Sequence, residues 1–263
     1  MGGHAYWPFL AGSAILSPPM ISPERGTLDL SAVVPIYNEI ESLPPLLVEL
    51  QAALQATGLQ WEIVLVDDAS SDGSRDLVKA ESQRDHRIRA VVLPTRSGQS
   101  AALAAGLVRA RGKIIVTLDG DLQNDPADLP KLLAALERAD VVSGIRAERH
   151  DSAMRKLSSR IANNVRRALI GDSVTDIGCS FKAYRRETLV GLPPFIGVHR
   201  FLPALCQFRG ARLAEVPVSH RARRHGVSKY GVGNRLWRGI DDVIGVRWLK
   251  KRLVPPVAPE NET

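Results

Sequence analysis

The feature that most constrains the fold is an alternation, from Leu30 onward, of short runs rich in β-branched residues with longer stretches of helical apolar spacing. The short runs predict strands at 32–36, 62–66, 88–93, 113–118 and 141–145. The longer stretches predict helices at 43–56, 74–83, 98–110 and 126–137. Strands and helices that alternate in this way form β-α-β units. We therefore expect an α/β fold with a mostly parallel sheet flanked by helices.

Three of the predicted strands run directly into acidic turns. The turns have the sequences PIYNE at 35–39, DDASSDG at 67–73 and DGDLQ at 119–123. Ligands of open parallel sheets bind at the carboxyl ends of the strands, so these turns are expected to form one site. Clustered carboxylates repel one another unless a cation or a hydrogen-bond donor lies between them. A metal ion or the N–H and hydroxyl groups of a nucleoside would meet that need.

Each of these turns also has a purely structural interpretation. Asp and Ser favour helix caps and Asx turns whatever the protein does. Asp119 and Asp121 stand one residue apart with Gly120 between them, and such a pair is common in turns. Hard divalent cations prefer carboxylate and phosphate oxygens, however, and the two other acidic turns nearby favour a metal and diphosphate site.

Composition and charge exclude several classes of protein. A chain of 263 residues with 44% hydrophobic and 24% charged content is neither disordered nor fibrous. Cys179 and Cys206 lack the spacing of a disulfide framework or a structural zinc site, and we interpret Cys179 as a small buried side chain. Residues 1–145 carry 12 Lys and Arg against 18 Asp and Glu, whereas residues 146–263 carry 23 against 10. The basic second half predicts a polyanionic partner: a phosphate-bearing lipid, an anionic membrane or nucleic acid.

The chain is expected to hold one catalytic domain at 30–252. Residues 1–29 are expected to form a mobile N-terminal arm, because prolines interrupt their uncharged stretch, and residues 253–263 a disordered tail. No later segment has 18 consecutive apolar residues, so membrane contact is expected to be peripheral.

Two basic amphipathic stretches, 152–170 and 236–252, are candidates for that contact. In the first, apolar residues recur every three or four positions, while Arg166 and Arg167 fall on other faces. Each stretch either lies in a membrane interface or packs on the core with a solvated basic face, and both alternatives stay open.

The turn motifs, in this order and spacing, resemble those of the family 2 inverting glycosyltransferases, which have the GT-A, Rossmann-like fold. Two later segments, DIGCSFKAY at 176–184 and RRHGVSKY at 223–230, resemble the branch that glycosylates polyprenyl phosphates. Dolichyl-phosphate mannose synthases and undecaprenyl-phosphate aminoarabinose transferases exemplify that branch. The resemblance covers residues 30 to about 250.

The resemblance implies transfer of a sugar, with inversion, from a UDP- or GDP-sugar to a polyprenyl phosphate at the cytoplasmic face of the cytoplasmic membrane, for cell-envelope glycan or lipid modification. It places the donor on Pro35, Tyr37, Glu39, Asp67, Asp68, Gly98 and Asp119. It places a Mg²⁺ or Mn²⁺ ion on Asp119, Asp121 and Gln123, and the catalytic centre on Asp176. It assigns the phosphates to Arg146, Arg223, Ser228 and Lys229, on a basic C-terminal platform for acceptor and membrane.

Elementary chemistry agrees with these roles. Breaking the sugar–diphosphate bond builds negative charge on the leaving group, which a divalent cation and Arg or Lys side chains stabilise. A phosphate monoester acceptor is largely ionised at neutral pH and needs little help from a base. Asp176 is therefore a positioning group, a base or simply a capping residue, and the sequence leaves these alternatives open. The loop at 223–229 is either a phosphate clamp or a solvated charged loop.

Two departures from the family pattern stand out. Arg96 occupies a position where relatives often have Asn, and the chain ends soon after Arg252, where relatives continue into membrane-spanning helices. We therefore expect peripheral attachment or an integral membrane partner. The rival functions are a family 2 enzyme with a saccharide or protein hydroxyl acceptor, and a non-enzymatic basic module that binds nucleic acid or anionic membrane. The second leaves the acidic turns unexplained, so no nucleic-acid partner is expected.

Overall fold

A computed structural model describes residues 21, 27–147, 163–164, 166–222 and 233–253 of the chain. Its strands are β1 Leu28–Ile36, β2 Trp61–Asp67, β3 Ile88–Val92, β4 Gly112–Thr117, β5 Val141–Arg146, β6 Lys182–Arg185 and β7 Leu213–Val218. Its helices are α1 Leu43–Ala56, α2 Ser74–Arg84, α3 Gln99–Arg109, α4 Leu129–Ala135, α5 Arg186–Leu189, α6 Val198–Phe208 and α7 Gly233–Lys250.

The strands form a single sheet in the order β3-β2-β1-β4-β6-β5-β7. Its neighbouring strands run parallel except at β6, which is antiparallel to both β4 and β5. The expected mostly parallel α/β fold is thus confirmed. The order reverses beside β1, so the ends of β1, β2 and β4 open on one crevice, where ligands of such sheets bind.

Helices cover both faces of the sheet because the central strands are apolar on both sides. On β1, Leu30 and Val34 pack in one cluster with the buried face of α1, while Val33 packs in a second with α3 and α6. A parallel strand buried on both faces has an almost continuous apolar sequence, as β1 does. These clusters hold the strand ends, and hence the acidic turns, in fixed positions.

The predicted strands and helices match the structure closely, with one exception before β5. The stretch 126–137 forms a 3₁₀ turn, Pro126–Asp128, followed by α4, rather than one long helix. Pro130 falls in the first turn of α4, where its missing N–H costs nothing, so the α-helix begins there. The strands β6 and β7 and the helices α5 and α6 were not predicted.

Several expectations fall on residues that the structure does not describe. These are most of the N-terminal arm (1–20 and 22–26), most of the first amphipathic stretch (152–162 and 165) with residues 148–151 before it, the loop at 223–232 and the tail at 254–263. Ile21 is an exception within the expected mobile arm, because it is fully buried in the second cluster. The arm's expected boundary at residue 29 is also two residues late, since β1 begins at Leu28.

The first amphipathic stretch differs from its prediction at Arg166. This side chain is buried, and its guanidinium is bonded to the Asp172 carboxylate and to the carbonyl of Val174. Arg166 therefore holds the following loop and does not belong to a solvated cationic face. Among the described helices, none combines the length and the apolar character needed to cross a bilayer.

Candidate active site

The turns that follow β1 and β2 are locked together by hydrogen bonds. The Asn38 N–H donates to Ser70 Oγ (3.0 Å), and the Ser71 N–H donates back to Asn38 Oδ1 (2.9 Å). The Glu39 N–H donates to Ser74 Oγ (2.9 Å) at the start of α2. These bonds fix Tyr37 and Glu39 beside the DDASSDG turn.

Each acidic turn contains one non-glycine residue in the left-handed backbone region. The φ angles are 53° at Asn38, 58° at Ala69 and 61° at Leu122. Such conformations are uncommon outside glycine, and they persist where the surrounding structure enforces them, often at functional sites. Their recurrence at three neighbouring strand ends indicates one site whose turns are held in strained shapes.

Asp67 and Asp68 both have bonding partners within the fold. Asp67 is fully buried, accepts hydrogen bonds from the Ser70 N–H and forms an ion pair with Arg75 Nε (3.1 Å). Asp68 accepts the N–H of Ser97 (2.6 Å) and of Gly98 (2.8 Å). Both carboxylates therefore have the structural task of holding the loops around the site. Their predicted contact with the donor stays a prediction.

Asp68 also determines where Arg96 lies. By holding the two residues after Arg96, it places the guanidinium over the Tyr37 ring, 4.2 Å from the ring centroid. Gly98 caps α3 with a φ of 87°, a conformation that side chains rarely adopt. Tyr37 thus presents an aromatic face at the mouth of the crevice, and Arg96 lies over it.

Asp119 and Asp121 follow β4 next to the PIYNE turn. A Cβ atom on Gly120 would come within 2.6 Å of Ile36 Cδ1 and 3.2 Å of the Pro35 carbonyl oxygen, so glycine lets the two turns approach this closely without a shift of Ile36. Gln99 Nε2 donates to Asp119 Oδ1 (2.7 Å), and Ser180 also bonds to this carboxyl. Burial and the charge of Asp121 raise the pKa of Asp119 to about 6. The two carboxylates therefore repel each other.

This donor set fits a divalent cation shared with a diphosphate. A cation between Asp119 and Asp121 would remove the repulsion that raises the Asp119 pKa. Within the described ranges, no three His, Cys, Asp or Glu side chains form a metal-binding group. Two protein carboxylates leave most positions of a six-coordinate Mg²⁺ or Mn²⁺ to phosphate oxygens and water, as is usual where Mg²⁺ binds a nucleotide.

Gln123 connects this turn to the segment after β7. Its side-chain Nε2 donates to the Arg221 carbonyl (3.2 Å), and its own carbonyl accepts the Arg221 N–H (2.8 Å). Arg221 is further anchored by Glu49 (2.6 Å) and Asp125 (2.9 Å). The chain therefore enters the 223–232 segment from directly beside the DGDLQ turn.

Asp176 is held by Arg146 at the end of β5. Arg146 Nε and Nη2 donate to the two carboxylate oxygens, each at 2.7 Å, and the Gly178 N–H adds a third bond at 3.2 Å. The Asp176 and Arg146 side chains are only 8% and 20% exposed. A two-bond pairing of this kind fixes the orientation of a carboxylate.

A buried lysine lies beneath these carboxylates, and sequence reasoning did not identify it. Lys182 on β6 donates from Nζ to the His199 carbonyl (3.1 Å). Burial lowers its pKa to about 8, while the charges of Asp119 and Asp176 act in the opposite direction. Cys179 itself is buried, which raises the pKa of its thiol to about 11, so it is no nucleophile and the sequence interpretation is correct.

Residues 31–191 match the family described as Glycosyl transferase family 2, which is more than half of the chain. The chain belongs to the family 2 glycosyltransferases. This confirms the family that the turn motifs indicated.

This family 2 glycosyltransferase is similar in sequence to two curated proteins. It is 39% identical over 250 residues to a dodecaprenyl-phosphate galacturonate synthase of Rhizobium johnstonii, covering 90% of this chain and 73% of the relative. It is 40% identical over 205 residues to an undecaprenyl-phosphate 4-deoxy-4-formamido-L-arabinose transferase of Edwardsiella ictaluri, covering 77% of this chain and 63% of the relative. The chain thus spans about two thirds to three quarters of these relatives' length.

The GT-A fold is also found in solved structures. Glucosyl-3-phosphoglycerate synthase of Mycobacterium tuberculosis, in complex with Mn²⁺, UDP and phosphoglyceric acid, superposes with a TM-score of 0.65 at 23% identity. The match covers 88% of this chain and 81% of that one. At this identity the likeness shows the fold alone.

The structure brings together most of the residues that were predicted to act in this glycosyltransferase. The strand ends carry Pro35, Tyr37, Glu39, Asp67, Asp68, Asp119, Asp121, Gln123 and Arg146, with Gly98 at the start of α3 and Asp176 bound to Arg146. Arg223, Ser228 and Lys229 lie outside the described residues. Arg146 was predicted to bind phosphate; its guanidinium is paired with Asp176, and the phosphate role stays a prediction. Lys182 and Gln99 were missed because their partners come from distant parts of the chain.

Proposed function

We propose that this chain transfers a sugar from a UDP- or GDP-sugar to a polyprenyl phosphate, with inversion at the anomeric carbon. The observation that carries the proposal is the similarity, near 40% identity, to two curated relatives named for sugar transfer to polyprenyl phosphates. The crevice at the ends of β1, β2 and β4 supplies acidic turns that fit a metal-bound nucleotide. The donor and acceptor halves of the proposal have separate structural support.

On the donor side, the Arg96 guanidinium covers one face of the Tyr37 ring, and the carboxylates of Glu39, Asp67 and Asp68 follow the same strand ends. A nucleobase of either UDP or GDP would stack on this guanidinium–aromatic pair. Pro35 and Gly98 shape the two loops that border this space. The diphosphate would then reach the DGDLQ turn.

Asp119 and Asp121 would hold Mg²⁺ or Mn²⁺ there, with Gln123 at the edge of the same turn. A bound divalent cation would neutralise the negative charge that develops on the departing diphosphate. Gln99 keeps the Asp119 carboxyl oriented through its 2.7 Å bond, so that one oxygen is fixed before the donor arrives. The protein thus supplies a prearranged pair of oxygen ligands.

On the acceptor side, the geometry of Asp176 favours a phosphate over a hydroxyl acceptor. A sugar or protein hydroxyl must lose a proton as it attacks, and so requires a real base. Asp176 has both oxygens bonded to the Arg146 guanidinium, which leaves it suited to orienting a group. A phosphate monoester is largely ionised at neutral pH, and its oxygen needs orientation rather than deprotonation.

The phosphate groups would be held by Arg223, Ser228 and Lys229. Their segment begins next to Gln123, because the bonds between Gln123 and Arg221 attach its start to the metal-binding turn. Guanidinium, hydroxyl and ammonium donors together form a strong phosphate site. We propose that these side chains contact both the donor diphosphate and the acceptor phosphate.

The exposed face of α7 supports peripheral contact with a membrane, and we propose that this contact is with the cytoplasmic face. Ile244 and Trp248 are 61% and 56% exposed, and they share this face with Arg247 and Lys251. Arg252 lies over the Trp248 ring at 4.4 Å. Apolar and aromatic side chains mixed with cations are typical of helices at an anionic membrane surface. Such contact would bring the crevice to a lipid acceptor that stays in the bilayer.

A donor panel tests the first half of the proposal. Thermal unfolding is measured with UDP, GDP and their common sugar conjugates, each with Mg²⁺, Mn²⁺ or EDTA. A ligand at 100 times its Kd stabilises the native state by about 2.7 kcal/mol, which is easily seen as a rise in Tm. One nucleotide class should raise the Tm in a metal-dependent way, and no shift with any of them would contradict the proposed donor site. The acceptor half requires product analysis with the lipid phosphate present and absent.

A further inference from the structure

Lys182 is a buried cation in the middle of the sheet that the proposed reaction does not yet use. It is 1% exposed and lies on β6, where it pairs with Thr117 on β4 and Ser143 on β5. Two residues beyond Thr117 comes Asp119, and three residues beyond Ser143 comes Arg146, the partner of Asp176. The lysine therefore lies beneath both the donor side and the acceptor side of the crevice.

A chain of short contacts connects the lysine to Asp119. Lys182 Nζ bonds to the His199 carbonyl (3.1 Å), and His199 Nδ1 bonds to Ser100 Oγ (2.8 Å). The adjacent residue, Gln99, bonds to Asp119 (2.7 Å). The first turns of α3 and α6 are thus joined to each other and to the two charged groups. This arrangement fixes the ammonium group relative to the metal-binding turn.

Packing of the sheet does not by itself require a charged side chain at position 182. Burying an ammonium group is costly, and an apolar side chain of similar volume often stabilises a protein as well or better. The charges of Asp119 and Asp176 both act on Lys182, and Arg146 is a second cation nearby. In this cluster the carboxylates of Asp119, Asp121 and Asp176 outnumber the two cations, so without Lys182 an incoming diphosphate would meet a more negative site.

We propose that Lys182 is a positioning residue whose buried positive charge favours binding of the nucleotide diphosphate at the Asp119 turn. It does not touch the ligand but acts through the electrostatic field beneath it. This inference rests on the proposed function, because it requires a nucleotide in the crevice. A fixed cation attracts an anionic ligand and repels a metal ion, so its removal should affect the two ligands differently.

The test compares binding of Mn²⁺ alone with binding of UDP and GDP at saturating Mn²⁺, measured by titration calorimetry on the full chain. Lys182→Met removes the charge and keeps the volume, while Lys182→Gln removes the charge but keeps a donor for the His199 carbonyl. Lys182→Arg keeps the charge. Loss of one unit charge acting across ~10 Å of protein should weaken nucleotide binding about tenfold in the first two variants, with Mn²⁺ binding undiminished. Lys182→Arg should retain most of the affinity.

Lys113→Met is the matched control, since it removes the same charge from an exposed side chain near the opposite end of β4. Nucleotide affinity unchanged in both Lys182→Gln and Lys182→Met would overturn the inference. The inference would also be overturned if the variants lost affinity for Mn²⁺ and for the nucleotide to the same extent, together with a lower Tm, because a structural residue behaves in that way. If the wild-type chain binds neither nucleotide, the proposed function has failed instead. If Lys182→Met does not fold, the comparison of Lys182→Gln with Lys182→Arg decides the test.

Discussion

Replacing Arg146 by Met should destabilise the protein strongly, because it would leave the Asp176 carboxylate buried without its counter-ion. The structure gives this pair two bonds of 2.7 Å and side chains only 20% and 8% exposed. Removing one partner of a buried ion pair costs about 3–5 kcal/mol, and the partial exposure of Arg146 favours the lower end, about 3 kcal/mol. For a domain of this size each kcal/mol lowers the Tm by about 2–4 °C, so we expect a loss of about 6–12 °C.

The assay is thermal and urea unfolding of Arg146→Met, Asp176→Asn and the double variant. If the two side chains act as one unit, the double variant should be much less destabilised than the sum of the single variants. Arg212→Met is the matched control, because Arg212 makes the same two-bond contact with Asp140 but is 66% exposed. Exposed pairs contribute little to stability, so this variant should lose much less Tm. An Arg146 variant no less stable than the Arg212 variant would refute a stabilising pairing with Asp176.

Three further predictions concern the metal, the acceptor loop and the membrane. Asp121→Asn should abolish metal-dependent nucleotide binding with little change in Tm. Because the pKa of Asp119 is raised to about 6, metal binding by the wild-type protein should weaken as the pH falls through 6 and protons compete for that carboxylate. Nucleotide binding that is equally metal-dependent in the variant, or metal affinity that stays constant from pH 7 to 5, would remove these residues from the site. Lys229→Ala should lower kcat/KM with a polyprenyl phosphate far more than it lowers the Tm, whereas wild-type kinetics would show the loop to be only a solvated one. Sedimentation with anionic vesicles should capture the protein at low salt and release it at high salt. Capture should be weaker for Trp248→Ala than for the control Val48→Ala, a still more exposed apolar position on α1. A protein that ignores such vesicles would favour delivery by an integral membrane partner.

The parts of the fold that local sequence controls were predictable. The alternation of β-branched runs and helical spacing located β1 to β5 and α1 to α3 to within a few residues, because each element buries a repeating pattern of its own side chains. The strand β6 was not predicted, since four residues carry little periodicity and its antiparallel position between β4 and β5 depends on the whole sheet.

The charged residues show the limit of sequence reasoning more clearly. The acidic turns were recognised because carboxylates after strands are visible in the sequence. Arg166 was predicted on a basic face but is buried and paired with Asp172, and the pairing of Arg146 with Asp176, 30 residues away in the chain, was not predicted. Periodicity describes which face a side chain occupies and not which distant group it meets. Lys182 was overlooked for the same reason, since its carbonyl partner lies on another element.

The most direct test of the proposed function is the intact mass of the lipid product. Purified protein is incubated with a polyprenyl phosphate, an equimolar polyprenol, Mn²⁺ and the nucleotide-sugar identified by the donor panel, and the lipids are extracted for mass spectrometry. We expect the phosphate lipid alone to gain one sugar residue, only when the divalent cation is present. Sugar found on the polyprenol, or only free sugar released into the water phase, would contradict transfer to a phosphate acceptor.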